Sequence, residues 1–277
     1  MPSALPTQTP DRLAIIAGSG RFPFHVADAA KRQGWFVSIL AIQEWADPSL
    51  ASHADAYEEI AIGQIGRLIS RLKAQDIRQA ILAGKVTKAV LLNRAAFDLE
   101  AIGLLFKARD LSVSALLKAI GQRLAQEGIT LLDSSMFLPS SLCPEGALTA
   151  RRPTESEQAD IEVGRRAARA LASVDVGQTV VVKGRVVVAV EALEGTDATI
   201  QRAHAIAGDG LVVVKMASPN QDRRLDLPVV GTDTLDTLRR HGVTCLAVEA
   251  SATILLDRDT LLASANAAGL CLIGIAS

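Results

Sequence analysis

With 277 residues, 49% of them apolar and 21% charged, the chain has the composition of a folded globular protein, with room for one large or two modest domains. Twenty-nine basic against 30 acidic side chains leave a net charge of −1, so no global field exists for gripping nucleic acid or an anionic bilayer. Nine aromatics (2 Trp, 1 Tyr, 6 Phe) are too few for the stacking platforms of single-strand binders, which leaves a small-molecule enzyme or a binding module.

The apolar run Leu13 to Ala17 ends at Gly18-Ser19-Gly20, and Phe22 to Arg32 then carries helical spacing as far as Gly34: strand, glycine turn, helix. Trp35 to Ala41 predicts a second strand, Ile65 to Ala74 a helix, and Ile77 to Ala83 a buried strand before Gly84-Lys85. Helical patterns occupy Leu99 to Lys107 and Ser112 to Gln126, and Ile129 to Leu132 is a short apolar strand. Such alternation predicts a mostly parallel, Rossmann-like sheet.

Pro144 to Glu157 is polar and punctuated by proline, as linkers are, which divides the chain into a first α/β domain over 1–145 and a second, mixed α/β domain over 146–277. The second opens with a helix from Glu157 to Ala172, and a hairpin is predicted with strands Thr179 to Val182 and Arg185 to Val190 about Lys183-Gly184. Helices at Ala198 to Ala207, Thr234 to His241 and Asp259 to Ala267 alternate with strands at Leu211 to Met216, Val243 to Val248 and Leu270 to Ile275.

Cys143, Cys245 and Cys271 form no C-x-x-C pair, which argues against a disulfide framework or a structural zinc and predicts a reducing, cytoplasmic setting. Met1 to Pro10 holds no basic stretch leading into an apolar run, and no uncharged apolar stretch reaches the roughly 18 residues of a spanning helix. The four histidines show no paired spacing for a transition metal.

Several places suit chemistry. Gly18, Ser19 and Gly20 put small residues where backbone N–H groups and a helix start can meet a phosphate, although Pro23 stands where a dinucleotide fingerprint has its third glycine. Lys85, after another strand, reads equally as a phosphate contact or as a helix-start lysine. Glu191, Glu194 and Asp197 cluster where a strand passes into a helix. They offer the hard oxygen ligands that magnesium takes alongside substrate phosphate, unless Thr196 or Asp197 merely caps the helix. Downstream, Lys215, Arg223 and Arg224 could neutralise a polyphosphate while Asp222 and Asp226 hold a cation or orient water; a solvated charged loop is the alternative. Ala101 to Phe106 and Ser114 to Ile120 could line an apolar trough or pack in the core.

Four segments, LAIIAGSGRFP from Leu13, LLDSSMFLPSSL from Leu131, DVGQTVVVKGRVVVAVEALEGTDATIQR from Asp175 and VKMASPNQDRRLDLPVVG from Val214, together resemble the UDP-2,3-diacylglucosamine pyrophosphatases of lipid A biosynthesis, the type unrelated to the calcineurin-like enzyme. The most specific parts are the turn Glu194 to Asp197 and the stretch from Gln221-Asp222 to Asp226-Leu227-Pro228. The resemblance implies hydrolysis of UDP-2,3-diacylglucosamine by water with Mg2+ present, giving UMP and 2,3-diacylglucosamine 1-phosphate (lipid X). It also implies two domains with the substrate between them, and a homodimer.

On that footing Asp226, then Asp222, are expected to be catalytic. Glu194, Asp197, Asp222 and Asp226 are expected at the metal, and Gly18, Ser19, Gly20, Lys85, Thr196, Lys215, Gln221, Arg223 and Arg224 at the substrate. The substrate implies a cytoplasmic enzyme that docks transiently on the inner membrane surface. No role falls on Ala108-Arg109-Asp110, which departs from the family pattern. A nicotinamide-dependent oxidoreductase and a non-catalytic nucleotide-sugar or lipid-binding module are the alternatives.

Overall fold

The structure is a computed structural model that describes residues 11–86, 97–107, 113–218, 222–225 and 227–277. They fall into two compact units, the first made mainly of residues up to Phe137 and the second mainly of those from Leu138.

Up to Phe137 the chain order is β1 (Arg12–Ala17), α1 (Phe22–Arg32), β2 (Phe36–Ile42), a 3-10 segment Pro48–His53, β3 (Ala56–Ile60), α2 (Ile65–Ala74), β4 (Gln79–Ala83), α3 (Leu99–Lys107), α4 (Val113–Gln126) and β5 (Thr130–Leu131). The strands lie in the order β3-β2-β1-β4-β5, every neighbour parallel, which is the Rossmann-like arrangement expected. Central strand β1 is a continuous apolar run because both of its faces are covered, and Leu13 to Ala17 are all buried. The chain steps outward from β1 through β2 to β3, then crosses back to β4 on the other side of β1. That reversal makes the carboxyl ends of β1 and β4 the topological switch point, where open α/β sheets take ligands.

The second unit holds β6 (Gly146–Ala147), α5 (Glu155–Ser173), β7 (Thr179–Lys183), β8 (Val186–Val190), α6 (Thr196–Ala207), β9 (Leu211–Lys215), β10 (Val229–Val230), α7 (Thr232–Arg240), β11 (Val243–Glu249), β12 (Ile254–Leu255), α8 (Arg258–Ala267) and β13 (Cys271–Ile275). Its main sheet runs β6-β13-β11-β9-β7-β8, parallel at β13-β11-β9 and antiparallel at both flanks. Strand alternation divides the core. Val180, Val182, Val212 and Val214 pack beneath α5, while Val181, Val213, Leu246 and Leu272 join Ile200, Leu235 and Leu261 of α6, α7 and α8. The two-residue strands β10 and β12 pair parallel in a separate ribbon.

Residues 142 and 143 already belong to the second unit: Leu142 bridges Ile254, and the Cys143 N–H donates to the Thr253 carbonyl at 2.8 Å. This contact lies just before the proline-punctuated stretch that marks the linker in the sequence.

Candidate active site

At the first unit's switch point the two turns singled out in the sequence meet. Ser19 and Lys85 form an antiparallel bridge in which each N–H donates to the other's carbonyl at 2.9 Å, and Ser19 Oγ donates to the Lys85 carbonyl at 3.0 Å. The Gly18 N–H donates to the Ala83 carbonyl at 2.8 Å. The N–H groups of Gly18, Ser19 and Lys85 are therefore committed to protein carbonyls. This narrows the expected phosphate cradle to two features beyond Gly20: the first turn of α1, entered through Arg21 without a side-chain cap, and the exposed Lys85 side chain.

In the second unit, antiparallel pairing brings the start of β7 and the ends of β8, β9 and β11 to one edge of the sheet. Thr179, Glu191, Thr196 and Lys215 converge there. Lys215 Nζ donates to Thr196 Oγ1 at 2.9 Å and lies 3.5 Å from Thr179 Oγ1; Thr196 Oγ1 is 3.1 Å from Thr179 Oγ1 and 3.1 Å from Glu191 Oε1. The Gln178 N–H donates to Glu191 Oε2 at 3.2 Å. Burial pushes the Glu191 carboxyl up, but the Lys215 charge and the hydrogen bonds from Thr179, Gln178 and Thr196 outweigh it and hold it below the ordinary glutamate value. One strand further in, Glu249 is buried at the end of β11 and accepts the Ala217 N–H at 2.9 Å.

Thr196 and Lys215, both expected at the substrate, are thus brought together, and Glu191, read in the sequence as one of three candidate magnesium ligands, joins them. The other expected ligands are held elsewhere. Glu194 pairs with Arg202 at 2.6 Å and accepts the Ala192 N–H at 3.1 Å and Thr199 Oγ1 at 3.3 Å, so its carboxylate ties the turn to α6. Its own backbone N–H, then Arg202, keep its carboxyl below the ordinary value. Asp197 stands exposed in the first turn of α6. Asp222 accepts Arg224 Nε at 2.8 Å and Nη2 at 2.5 Å, so this acid and this base neutralise each other. Arg223 lies in the same turn. Gln221 and Asp226 lie outside the described residues, as do Ala108-Arg109-Asp110.

Among the described residues no group of three or more His, Cys, Asp or Glu side chains stands ready to hold a metal ion. Glu194 is held by Arg202, Ala192 and Thr199 and Asp222 by Arg224, while Asp226, the fourth expected ligand, lies outside the described residues.

A family model described as the LpxI N-terminal domain matches residues 12–141, and one described as the LpxI C-terminal domain matches residues 144–273. The chain belongs to the LpxI family. It is 30% identical over 274 residues to the UDP-2,3-diacylglucosamine pyrophosphatase LpxI of Caulobacter vibrioides, covering 95% of this chain and 97% of that protein. Solved structures overlap only loosely. The biotin carboxylase subunit of a pyruvate carboxylase aligns with 62% of this chain and 35% of its own at a TM-score of 0.28 and 12% identity. A glycinamide-RNase-transformylase T from Mycobacterium tuberculosis aligns with 61% and 40% at a TM-score of 0.25 and 14% identity.

In this LpxI family member a cavity of about 510 Å³ beside α3 and α4 is bordered by Gly103 and Leu104, which belong to the first of the two segments expected to line an apolar trough. That cavity is polar in character: Arg123 on its wall pairs with Glu100 at 3.2 Å and with Glu127 at 2.6 Å. Ala101 and Leu104 are both buried, Leu104 at the border of that cavity. Among the described residues no helix is long and apolar enough to cross a membrane.

Proposed function

We propose that this chain hydrolyses the pyrophosphate bond of UDP-2,3-diacylglucosamine, giving UMP and 2,3-diacylglucosamine 1-phosphate, a step of lipid A biosynthesis. The observation that carries the reading is the end-to-end match: both family domains and a pyrophosphatase aligned over 97% of its own length. The chemistry needs cationic or hydrogen-bonding groups at the pyrophosphate oxygens and a water in line with the breaking P–O bond. Lys215, held at the sheet edge by Thr196, supplies a cation of that kind. Asp226, through the resemblance, is the residue that orients the water, with Arg223 and Arg224 beside it in sequence.

Mg2+ is part of the proposal, entering on the substrate's phosphate oxygens with one or two protein carboxylates, since magnesium is commonly held that way. Attack is proposed at the sugar-side phosphorus: water oxygen bonds to that phosphorus, the bridging oxygen leaves with UMP, and the protons are released to solvent. A homodimer, a cytoplasmic location and transient contact with the inner membrane surface complete the reading, the last because the substrate carries two acyl chains.

The test is direct incubation of the purified chain with UDP-2,3-diacylglucosamine in 18O-labelled water, with products read by mass spectrometry. Label in 2,3-diacylglucosamine 1-phosphate is expected, label in UMP alone would overturn the direction of attack, and binding without turnover would favour a non-catalytic module.

A further inference from the structure

We infer that Glu191 is the positioning residue of Lys215: acting through the Thr196 hydroxyl, it fixes the ammonium group that meets the substrate pyrophosphate. The identity of the anion rests on the hydrolase reading above; the positioning of Lys215 does not.

The direction of the hydrogen bonds is set by what each group can do. An ammonium only donates, an ionised carboxylate only accepts, and a hydroxyl has one proton and two lone pairs. Thr196 Oγ1 therefore receives a proton from Lys215 at 2.9 Å and sends its own to Glu191 Oε1 at 3.1 Å. The hydroxyl is polarised between two charges and has no freedom to rotate. Thr179, opposite Lys215 in the β7–β9 register, adds a second oxygen 3.5 Å from Nζ. An ammonium has three protons, and Thr196 and Thr179 are the only hydrogen-bond acceptors of Lys215 among the described residues, leaving one proton for a ligand.

Glu191 is anchored from the other side too. Its Oε2 accepts the Gln178 N–H, and its own N–H donates to the Thr179 carbonyl at 2.9 Å. Gly177 presses so closely that a Cβ there would come within 2.0 Å of the Glu191 carbonyl oxygen. With both carboxylate oxygens occupied by protein donors, Glu191 is not arranged as a metal ligand. Nor does stability alone account for it: a half-buried acid and base generally contribute no more to folding than apolar groups of the same size. What the arrangement does supply is an ammonium held in one place at the mouth of the sheet.

The rate of Lys215 acetylation at one fixed pH, read by mass spectrometry in the wild type, Glu191→Gln and Thr196→Val, tests the positioning without reference to activity. Each substitution is expected to speed acetylation several-fold, because an amine no longer held through the Thr196 hydroxyl is free to meet the reagent. In the hydrolase assay kcat/KM is expected to fall about 10- to 100-fold in both variants, the scale of a misplaced charged group, with Thr196→Ser recovering most of the loss. Thermal melting identifies any variant that fails to fold, and the other then decides. An unchanged acetylation rate in a folded variant overturns the inference. Variants that are acetylated faster than a wild type that cleaves no UDP-2,3-diacylglucosamine leave the positioning standing and overturn the hydrolase reading instead.

Discussion

Gly18 and Gly84 meet backbone to backbone at the switch point of the first sheet: a Cβ on Gly84 would stand 2.7 Å from the Gly18 carbonyl carbon, and one on Gly18 would stand 2.5 Å from the Lys85 carbonyl oxygen. Gly84 also has φ +94°, a conformation that other residues resist. Gly84→Ala is expected to lower stability by about 2–4 kcal/mol, adding overpacking to backbone strain. Urea unfolding measures the loss; a shift below about 0.5 kcal/mol would mean the turns do not depend on this contact.

The carboxylates of the second unit are expected to separate by function. Asp226→Asn should reduce turnover at least ~100-fold, the scale of a lost group that orients the attacking water. Glu194→Gln should cost less than about 10-fold, because this carboxylate is spent on Arg202, Ala192 and Thr199. Steady-state rates with and without a chelator check both, and chelation is expected to reduce turnover until Mg2+ is restored. Equal losses in the two variants would show that Glu194 leaves its present partners when substrate binds.

Acid should weaken the second unit through Glu157. Its Oε1 accepts Arg151 at 2.7 Å and Thr244 Oγ1 at 2.7 Å, and its Oε2 accepts the Thr154 N–H at 2.8 Å, closing a capping box at the start of α5. Burial pushes the carboxyl up, but Arg151, the Thr154 N–H and Thr244 together carry it below the ordinary 4.5. The unfolded chain then takes the proton first as pH falls, so the contribution is complete above the ordinary value and is lost below it. Glu157→Gln is expected to be about 1–3 kcal/mol less stable than the wild type at pH 7, with the gap closing as the pH falls below 4.5. A gap that does not narrow in acid would count against the assignment.

The three thiols should be silent in the native protein. Cys143, Cys245 and Cys271 are all buried, and burial pushes the Cys143 thiol up to about 11. A disulfide reagent at pH 8 is expected to react with none of them until denaturant is added. Rapid reaction of one equivalent in the folded state would show that its surroundings open readily.

Much of the architecture is legible in the sequence because long apolar runs and glycine stops are strong signals. Pattern alone places the β7–β8 hairpin turn one residue early: the strands end at Lys183 and resume at Val186, and the turn is Gly184-Arg185, both at positive φ, as a two-residue hairpin of the mirror-image type requires. Strand β3 escapes detection because Ala56-Tyr57-Glu58-Glu59-Ile60 is polar; it sits at the edge of its sheet, where only Ile60 is buried. Strands β6, β10 and β12, two residues each, carry no periodicity to detect. Helix α5 begins two residues before the Glu157 expected from apolar spacing, although Thr154 and Glu157 have the separation that announces a capping box.

In the candidate site, Thr196 and Lys215 stand out separately in the sequence and do meet. Glu194 and Asp222 suggest themselves as ligands on proximity in sequence alone. What that view misses is competition: Arg202 is one helical turn or more away, and Arg224 is two residues on, each able to claim its carboxylate. The part played by Glu191 is invisible at that level, because nothing in a sequence shows that two strands will return Thr179 and Lys215 to its side.

The seating of β13 between β11 and β6 has a consequence for biosynthesis. The five strands of the first sheet are all translated by residue 131, whereas an interior strand of the second is completed only at residue 275. Until it arrives, β6 has nothing to pair with and β11 has one bare flank. A nascent chain would thus carry the strands of a complete N-terminal sheet while the C-terminal one still has a gap in it, with strand edges of β11 and β6 left open to wrong pairing.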